Sequence, residues 1–383
     1  MIPYGRQDIQ QSDLDAVLEV LQSDFLTQGP MVPRFEEAVT QACGAAYGVA
    51  ANSATSALHI ACLALGLNDG DWLWTSPVTF VASANCGLYC GAQVDFVDID
   101  PDTYNMCPRA LAKKLAKAKV EGRLPKVIVP VHLCGLPCDM AAIQAVSSEY
   151  GVRIIEDASH AIGGRYRDQA IGACEFSDIT IFSFHPVKIV TTAEGGMATT
   201  NDPILAQKMR LFRSHGVTRD PSLMQGESDG PWYYQQVTLG LNYRLTDMQA
   251  ALGSSQVARL HEYVARRHQI ADRYDALLSN LPLTTPVRHS ESYSGLHLYV
   301  VQLDDPSRRR AVFEGMRAAG IGVNVHYIPV HLQPYYAEMG FAKGDFPNAE
   351  AYYAATISLP MFPLLSEEDQ DTVVAVLKME LAK

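Results

Sequence analysis

The sequence predicts an α/β protein: a mostly parallel sheet flanked by helices, followed by a smaller C-terminal α+β domain. Three observations carry this. Apolar residues make up 48% of the chain and charged residues 19%, which suits a chain with a sizeable buried core. Over the first two-thirds, strand-like and helix-like stretches alternate within short spans, so the strands need crossover connections. Near residue 250 the rhythm changes to one long helical run and then to short strands with two helices.

In order, AYGVAAN (46–52) ends a short strand, and SATSALHIACLALGL (53–67) follows with hydroxyl residues at its start and apolar residues at helical spacing. DWLWTSPVT (71–79) reads as a strand, FVASANCGLYCG (80–91) as a helix and QVDFVDID (93–100) as a strand. LPKVIVPVHLCG (124–135) is a buried strand, DMAAIQAVSSEYG (139–151) a helix and VRIIEDAS (152–159) a strand; SDITIFSFH (177–185) closes the series. The stretch 254–281 reads as one helix with Arg and His on its polar side. Then come a strand at 296–303, a helix at 307–320, a strand at 321–330 and a last helix from Glu367. With no Pro/Gly-rich linker in view, the boundary falls within the long helical run, giving a large domain over 1–255 and a small one over 256–383.

Composition removes several function classes. A formal net charge of -12 and the lack of a long Lys/Arg run argue against a nucleic-acid partner. No window has the ~18 apolar residues of a membrane span, and MIPYGRQDIQ is not a secretion signal, so no membrane partner and a cytoplasmic location are expected. Six of the eight cysteines sit in apolar or small-residue surroundings that suit reduced, buried thiols. Cys134 and Cys138 lack both the usual spacing and a second pair, so no metal is expected.

The chemistry gathers at strand ends, where parallel sheets place ligand sites. Asn52-SATSA-Leu58 opens a helix with small hydroxyl residues, leaving backbone N–H groups free for an anion; a plain N-cap is the commoner reading of that pattern alone. Phe80 follows a strand and offers a ring for stacking. Asp157 emerges at a strand end, where its carboxylate could pair with a cationic ring nitrogen or simply cap a helix. Lys188, in FSFHPVKIVTTAEGG (182–196), has apolar neighbours that disfavour its charged form and leave its amine nucleophilic; a snorkelling surface lysine is the alternative. An anion site, a stacking ring, a carboxylate and an imine-forming lysine are together what pyridoxal 5'-phosphate requires.

At this point the chain resembles the DegT/DnrJ/EryC1/StrS sugar-nucleotide aminotransferases, of fold-type I among pyridoxal-phosphate enzymes. The motifs are SDFLTQGP (23–30), NSATSAL (52–58), HLCGLPCDM (132–140), SFHPVK with TTAEGGM (183–197), RSHGV (213–217), LGLNYRLTDMQAALG (239–253) and VHYIPVHLQPYY (325–336), so the likeness covers nearly the whole chain. The resemblance implies that Lys188 forms the Schiff base and shuttles protons, that Asp157 pairs with the pyridine nitrogen, and that His160 lies near the ring oxygen or is an ordinary core histidine. It implies that Phe80 stacks on the cofactor, that Ala54, Thr55 and Ser183 bind its phosphate, and that Asn242 reaches that phosphate from the other subunit of a homodimer with shared active sites. Tyr4, Leu26, Thr27, Asn324, Val325, His326 and Tyr327 match positions lining the sugar-nucleotide cleft, although strand alternation in GVNVHY would turn either His326 or Tyr327 into the core. Phe362 is read as packing, and Arg213 and His215 as structural supports.

The branch most resembled transfers the amino group of L-glutamate, leaving 2-oxoglutarate, to C4 of a UDP-linked 4-keto-6-deoxy-N-acetylamino sugar in pseudaminic acid biosynthesis. Ala193, where the wider family commonly has glycine, favours that branch. Cys134 and Cys138 replace commoner residues without touching a proposed role. Alternatives are the epimeric UDP-4-keto-6-deoxy-N-acetyl-D-glucosamine, a dTDP- or GDP-linked keto sugar, or a non-catalytic cofactor-binding regulator. A dehydratase using the same cofactor would carry histidine where this chain has Lys188.

Overall fold

The computed structural model describes residues 1–383. Its main sheet has seven strands: β1 (Tyr47–Ala51), β2 (Trp72–Thr75), β3 (Gln93–Phe96), β4 (Val127–Val129), β5 (Arg153–Asp157), β6 (Ile179–Ser183) and β7 (Gly196–Thr200). The order across the sheet is β1-β7-β6-β5-β4-β2-β3. The pairs β6–β5, β5–β4, β4–β2 and β2–β3 are parallel; β7 runs against both of its neighbours. So β1 and the parallel strands all end on one edge of the sheet. The sequence series does not close at β6: GMATT adds β7, whose short run of small and hydroxyl residues carries little strand signal although all five are buried.

Alternation along the strands fills both faces. Ile154 and Phe182 face one apolar cluster, while Ile155, Ile179 and Ile181 face the other. Helices cover the sheet: α1 (Gln11–Leu21), α2 (Met31–Cys43), α3 (Ala54–Ala64), α4 (Ala82–Tyr89), α5 (Pro108–Glu121), α6 (Met140–Ser148), α7 (Pro203–Arg213) and α8 (Asp247–Val257). Gly196 shows how tightly α3 seats: a Cβ there would stand 2.5 Å from the Ala54 nitrogen and from the Ser53 carbonyl.

The run at 254–281 is two helices, α8 and α9 (Leu260–Leu278). Arg259 breaks the helical path (φ -106°, ψ 10°) and clamps the buried Asp13 carboxylate at 2.8 and 2.7 Å. Along α9 the core changes: Leu260, Tyr263 and Val264 join a cluster of the main sheet, whereas Ile270, Ala271, Tyr274 and Leu278 join the C-terminal cluster.

The C-terminal sheet is antiparallel, in the order β8 (Leu283–Thr284), β9 (Tyr299–Leu303), β10 (Thr356–Leu359), packed with α10 (Arg309–Ala318) and the last helix, Glu367–Ala382. The strand expected at 321–330 is absent. That stretch makes only single bridges, Ile2 with Ile321 and Asn324 with Ser358, and Pro329 removes a ladder donor. Thr356–Leu359 takes the third place in the sheet. Residues 324–328 are thereby left irregular, and they run toward the edge where the parallel strands end.

Candidate active site

A cavity of about 660 Å³ opens at that edge, and its lining includes Ser53, Ala54, Phe80, Asp157, Ser183 and Lys188. Its size fits a bound organic molecule.

The floor is the start of α3. Ser53 accepts from the Ser56 N–H at 3.1 Å, so it is an N-cap as the bland reading held. It leaves the Ala54 and Thr55 N–H groups, the first two of the helix, without a backbone partner. Both residues line the cavity, so the cap and the anion site are compatible. The Ser183 hydroxyl makes no protein hydrogen bond and faces the same space.

Asp157 ends β5 and is 5% exposed. Ser83 donates to one of its oxygens at 2.6 Å, and the Ser159 N–H to the other at 3.1 Å. Those bonds fix the carboxylate's plane. Ser83 and Ser159 were not singled out in the sequence; a serine two residues after a strand-end Asp is an Asx-turn signal that could have found Ser159.

Lys188 sits in the loop after β6, its backbone N–H on the His185 carbonyl. Buried Phe184, Ile189 and Val190 anchor the loop, and Phe184 meets Phe35 with ring centroids 5.0 Å apart. Burial pushes the Lys188 ammonium down to about 8, against the pull of Asp157 and Cys134. Lys188 is the only Lys or Arg among the lining residues, which also include the carboxylates of Asp157 and Glu194. Ala193 takes a left-handed backbone (φ 65°), its N–H on Thr191 Oγ1 at 3.0 Å. Glycine would hold that conformation at lower steric cost.

The opposite wall is irregular chain. Cys134 N–H donates to His160 Nδ1 at 3.2 Å, so a neutral His160 carries its proton on Nε2, which donates to Tyr327 Oη at 3.1 Å. Burial, then the Lys188 charge, pushes His160 far below the ordinary histidine range. With both nitrogens occupied, it is a satisfied histidine that brackets Tyr327. The Tyr327 hydroxyl proton is left for a ligand. Asn324 donates to His326 Nε2 at 3.4 Å, and His326 Nδ1 meets Ser358 Oγ at 2.7 Å. Both His326 and Tyr327 line the cavity; strand alternation does not apply because there is no strand. His297, buried with its Nδ1 unpartnered, also lines it and was missed, because LHLYVVQL reads as strand throughout whereas β9 starts at Tyr299.

Of the sequence candidates, Tyr4, Ala54, Thr55, Phe80, Asp157, His160, Ser183, Lys188, Asn324, Val325, His326 and Tyr327 meet around this one space. Leu26, Thr27 and Asn242 do not line the cavity of their own chain. Thr27 bridges Thr246, the Asp247 N–H donates to Leu26, and Asn242 bridges Ser214; all three residues are exposed. Phe362 is core, and Arg213 is structural, its Nη1 on Glu36 at 2.5 Å and on the Ala50 carbonyl at 2.7 Å.

The free helix N-terminus, the unpartnered Ser183 hydroxyl, the exposed Phe80 ring, the fixed Asp157 carboxylate and the depressed Lys188 amine fit pyridoxal 5'-phosphate. Known proteins agree. Spore coat polysaccharide biosynthesis protein SpsC of Bacillus subtilis is 39% identical, over 98% of this chain and 96% of SpsC. Spr1654 of Streptococcus pneumoniae, described as a sugar aminotransferase and solved in its PMP form, superposes with a TM-score of 0.92 at 30% identity, over 100% of this chain and 99% of that one. Helicobacter pylori PseC, an aminotransferase involved in the biosynthesis of pseudoaminic acid, gives 0.90 at 31%, again over 100% and 99%. The DegT/DnrJ/EryC1/StrS aminotransferase family matches residues 7–378. The chain belongs to that family and is a sugar aminotransferase that uses pyridoxal 5'-phosphate.

Proposed function

We propose that this enzyme transfers the amino group of L-glutamate to C4 of a UDP-linked 4-keto-6-deoxy-N-acetylamino sugar, giving UDP-4-amino-4,6-dideoxy-N-acetyl-β-L-altrosamine for pseudaminic acid biosynthesis. The observation that carries the reaction type is the half-buried Lys188 amine, close enough to feel the Asp157 charge, in a cavity floored by a free helix N-terminus. The likeness to PseC supports the sugar.

Pyridoxal 5'-phosphate, when bound, supplies an electron sink for the carbon that loses or gains a proton. In this reading Lys188 Nζ would hold the cofactor covalently and would move the proton at the reacting carbon. Asp157 would keep the ring nitrogen protonated, Phe80 would cover the ring, and Ala54, Thr55 and Ser183 would hold the phosphate. Tyr4 and residues 324–327 hold the sugar, with the Tyr327 hydroxyl donating to it and His160 fixing that hydroxyl.

Glutamate and a nucleotide sugar both bring anionic charge, yet Lys188 is the cavity's one lysine or arginine. That shortage supports a homodimer with shared sites, in which the exposed Asn242, Leu26 and Thr27 reach the partner's cavity. Exposed Trp232, Tyr234 and Leu239, just before Asn242, give such an interface its apolar surface.

The test is incubation with L-glutamate and each of two C5-epimeric UDP-4-keto-6-deoxy sugars while 2-oxoglutarate is followed. The β-L-altrosamine precursor is expected to react at least about tenfold faster. Equal rates would remove the sugar assignment, and no 2-oxoglutarate from either would remove the UDP-sugar reading.

A further inference from the structure

Of the three buried imidazoles on the cavity wall, two are already bonded. His160 is held by Cys134 and Tyr327, and His326 by Asn324 and Ser358. His297 is 4% exposed and lines the same space, its ring centroid 4.5 Å from that of His160. Its Nδ1 is sealed from solvent without a partner, which leaves Nε2 as the nitrogen open to the cavity. Burial, then the Lys188 charge, pushes the ring far below the ordinary histidine range, so it is neutral and carries one proton. Orphaned buried N–H groups are rarer than under-satisfied acceptors, which assigns that proton to Nε2. His297 thus presents one unspent N–H to whatever fills the cavity.

The chain is bent to place it there. Leu296, just before it, takes a left-handed backbone (φ 47°), which a residue with a side chain keeps only where its surroundings hold it. Here the Leu296 N–H donates to Ser294 Oγ at 3.0 Å, and the Gly295 N–H to the Gly135 carbonyl at 3.0 Å. Arg267 of α9 closes the turn from behind, its Nη1 donating to the carbonyls of Leu296 at 3.2 Å, His297 at 3.1 Å and Met361 at 3.2 Å. That guanidinium is 1% exposed, bonds only carbonyls, and has an unpartnered Nε. Burial alone pushes it down to about 10, where it still keeps its charge near neutral pH. A buried cation with no carboxylate beside it is costly unless negative charge arrives from elsewhere.

We propose that His297 binds the α-carboxylate of the amino-acid donor, with the charge of Arg267 behind it. Position and sign both point this way. The donor's amine has to come to the Lys188 end of the cavity, and the α-carboxylate is attached to the carbon that bears that amine. His297 lies at that end, close enough to feel the Lys188 charge. A sugar hydroxyl could accept the same N–H, but it would leave the Arg267 charge unanswered. A carboxylate accepts a stronger, charge-assisted bond and supplies the missing negative charge. The inference rests on the amino-acid half of the function proposed above and not on its sugar half.

The experiment gives the cofactor-loaded enzyme L-glutamate alone, with no sugar, and follows the absorbance as the cofactor's aldehyde is converted to its amine. His297→Ala is expected to raise the half-saturating L-glutamate concentration at least about tenfold, and His297→Gln, which keeps an N–H donor, to recover most of that loss. Affinity for pyridoxal 5'-phosphate, measured on the apoenzyme, is expected to stay within about twofold in both variants, whereas a collapsed cavity would move it. The donor's α-amide, L-isoglutamine for L-glutamate, is expected to inhibit wild type and His297→Ala alike, within about twofold. An unchanged L-glutamate requirement in His297→Ala, no recovery in His297→Gln, a cofactor affinity that falls in step, or inhibition by the α-amide that is lost on substitution would each overturn the proposal. Should wild type not convert L-glutamate, the donor named above is wrong; L-glutamine or L-alanine with its own α-amide then takes its place in the same assay, since each carries the carboxylate.

Discussion

The two walls of the cavity are built differently. On the sheet side, the groups sit where regular elements end: Asp157 closes β5, Ser183 closes β6, and Ala54 and Thr55 open α3. Each direction is set by a hydrogen-bonded ladder or helix turn, and the core locks Lys188 through Phe184, Ile189 and Val190. On the other side, His297 and residues 324–328 lie outside any strand or helix; Asn324 and Ser358 hold His326, and His160 holds Tyr327. The difference teaches where chemistry and selectivity can vary separately. A group at a strand end moves only if the sheet moves, whereas irregular chain can be rebuilt around a new substrate.

That contrast can be broken most sharply at Lys188. Lys188→Ala is expected to lower turnover by at least about 10³-fold and to abolish the cofactor adduct that borohydride traps on the wild-type chain, read by protein mass. Mixing it with inactive Asn242→Ala subunits should restore activity, because a mixed dimer then holds one site with both residues intact; no recovery would sink the shared-site reading. The sign of the pH effect is fixed by burial, which disfavours the charged amine: covalent loading of wild-type apoenzyme should rise with pH through about 8.

Asp157→Ala comes next, at about 10²- to 10³-fold in turnover with the fold retained, checked by steady-state kinetics beside circular dichroism. A loss below tenfold would mean that the carboxylate only ties down Ser83 and Ser159. Tyr327→Phe sharpens the comparison from the irregular side. It removes one hydroxyl that bonds His160, so an effect of about five- to tenfold is expected, seen as a raised KM for the sugar with glutamate KM unchanged. An equal rise in both would place Tyr327 with the cofactor and not with the sugar.

The same division marks what could be read in advance. The helix start at Ser53 was legible because a cap, small hydroxyl residues and helical spacing coincide in one local stretch. So was Asp157, at the end of an apolar run. GVNVHYIPV misled because its alternation is genuine as a pattern, while Thr356–Leu359, thirty residues on, competes successfully for the edge of β9. The break at Arg259 was hidden because the residue there pairs with the Asp13 carboxylate, 246 residues away in the chain.

By itself the sequence determined the α/β alternation, the lysine with its apolar flanks, the strand-end acid and the capped helix start, because each depends on residues within a few positions of one another. Only the tertiary structure decided that His160 is a bracket for Tyr327, that His326 and Tyr327 both face the cavity, and that Leu26, Thr27 and Asn242 stand outside it. Those outcomes rest on contacts between distant segments, and burial and hydrogen-bond partners at long range are properties of the packed chain, not of any local pattern.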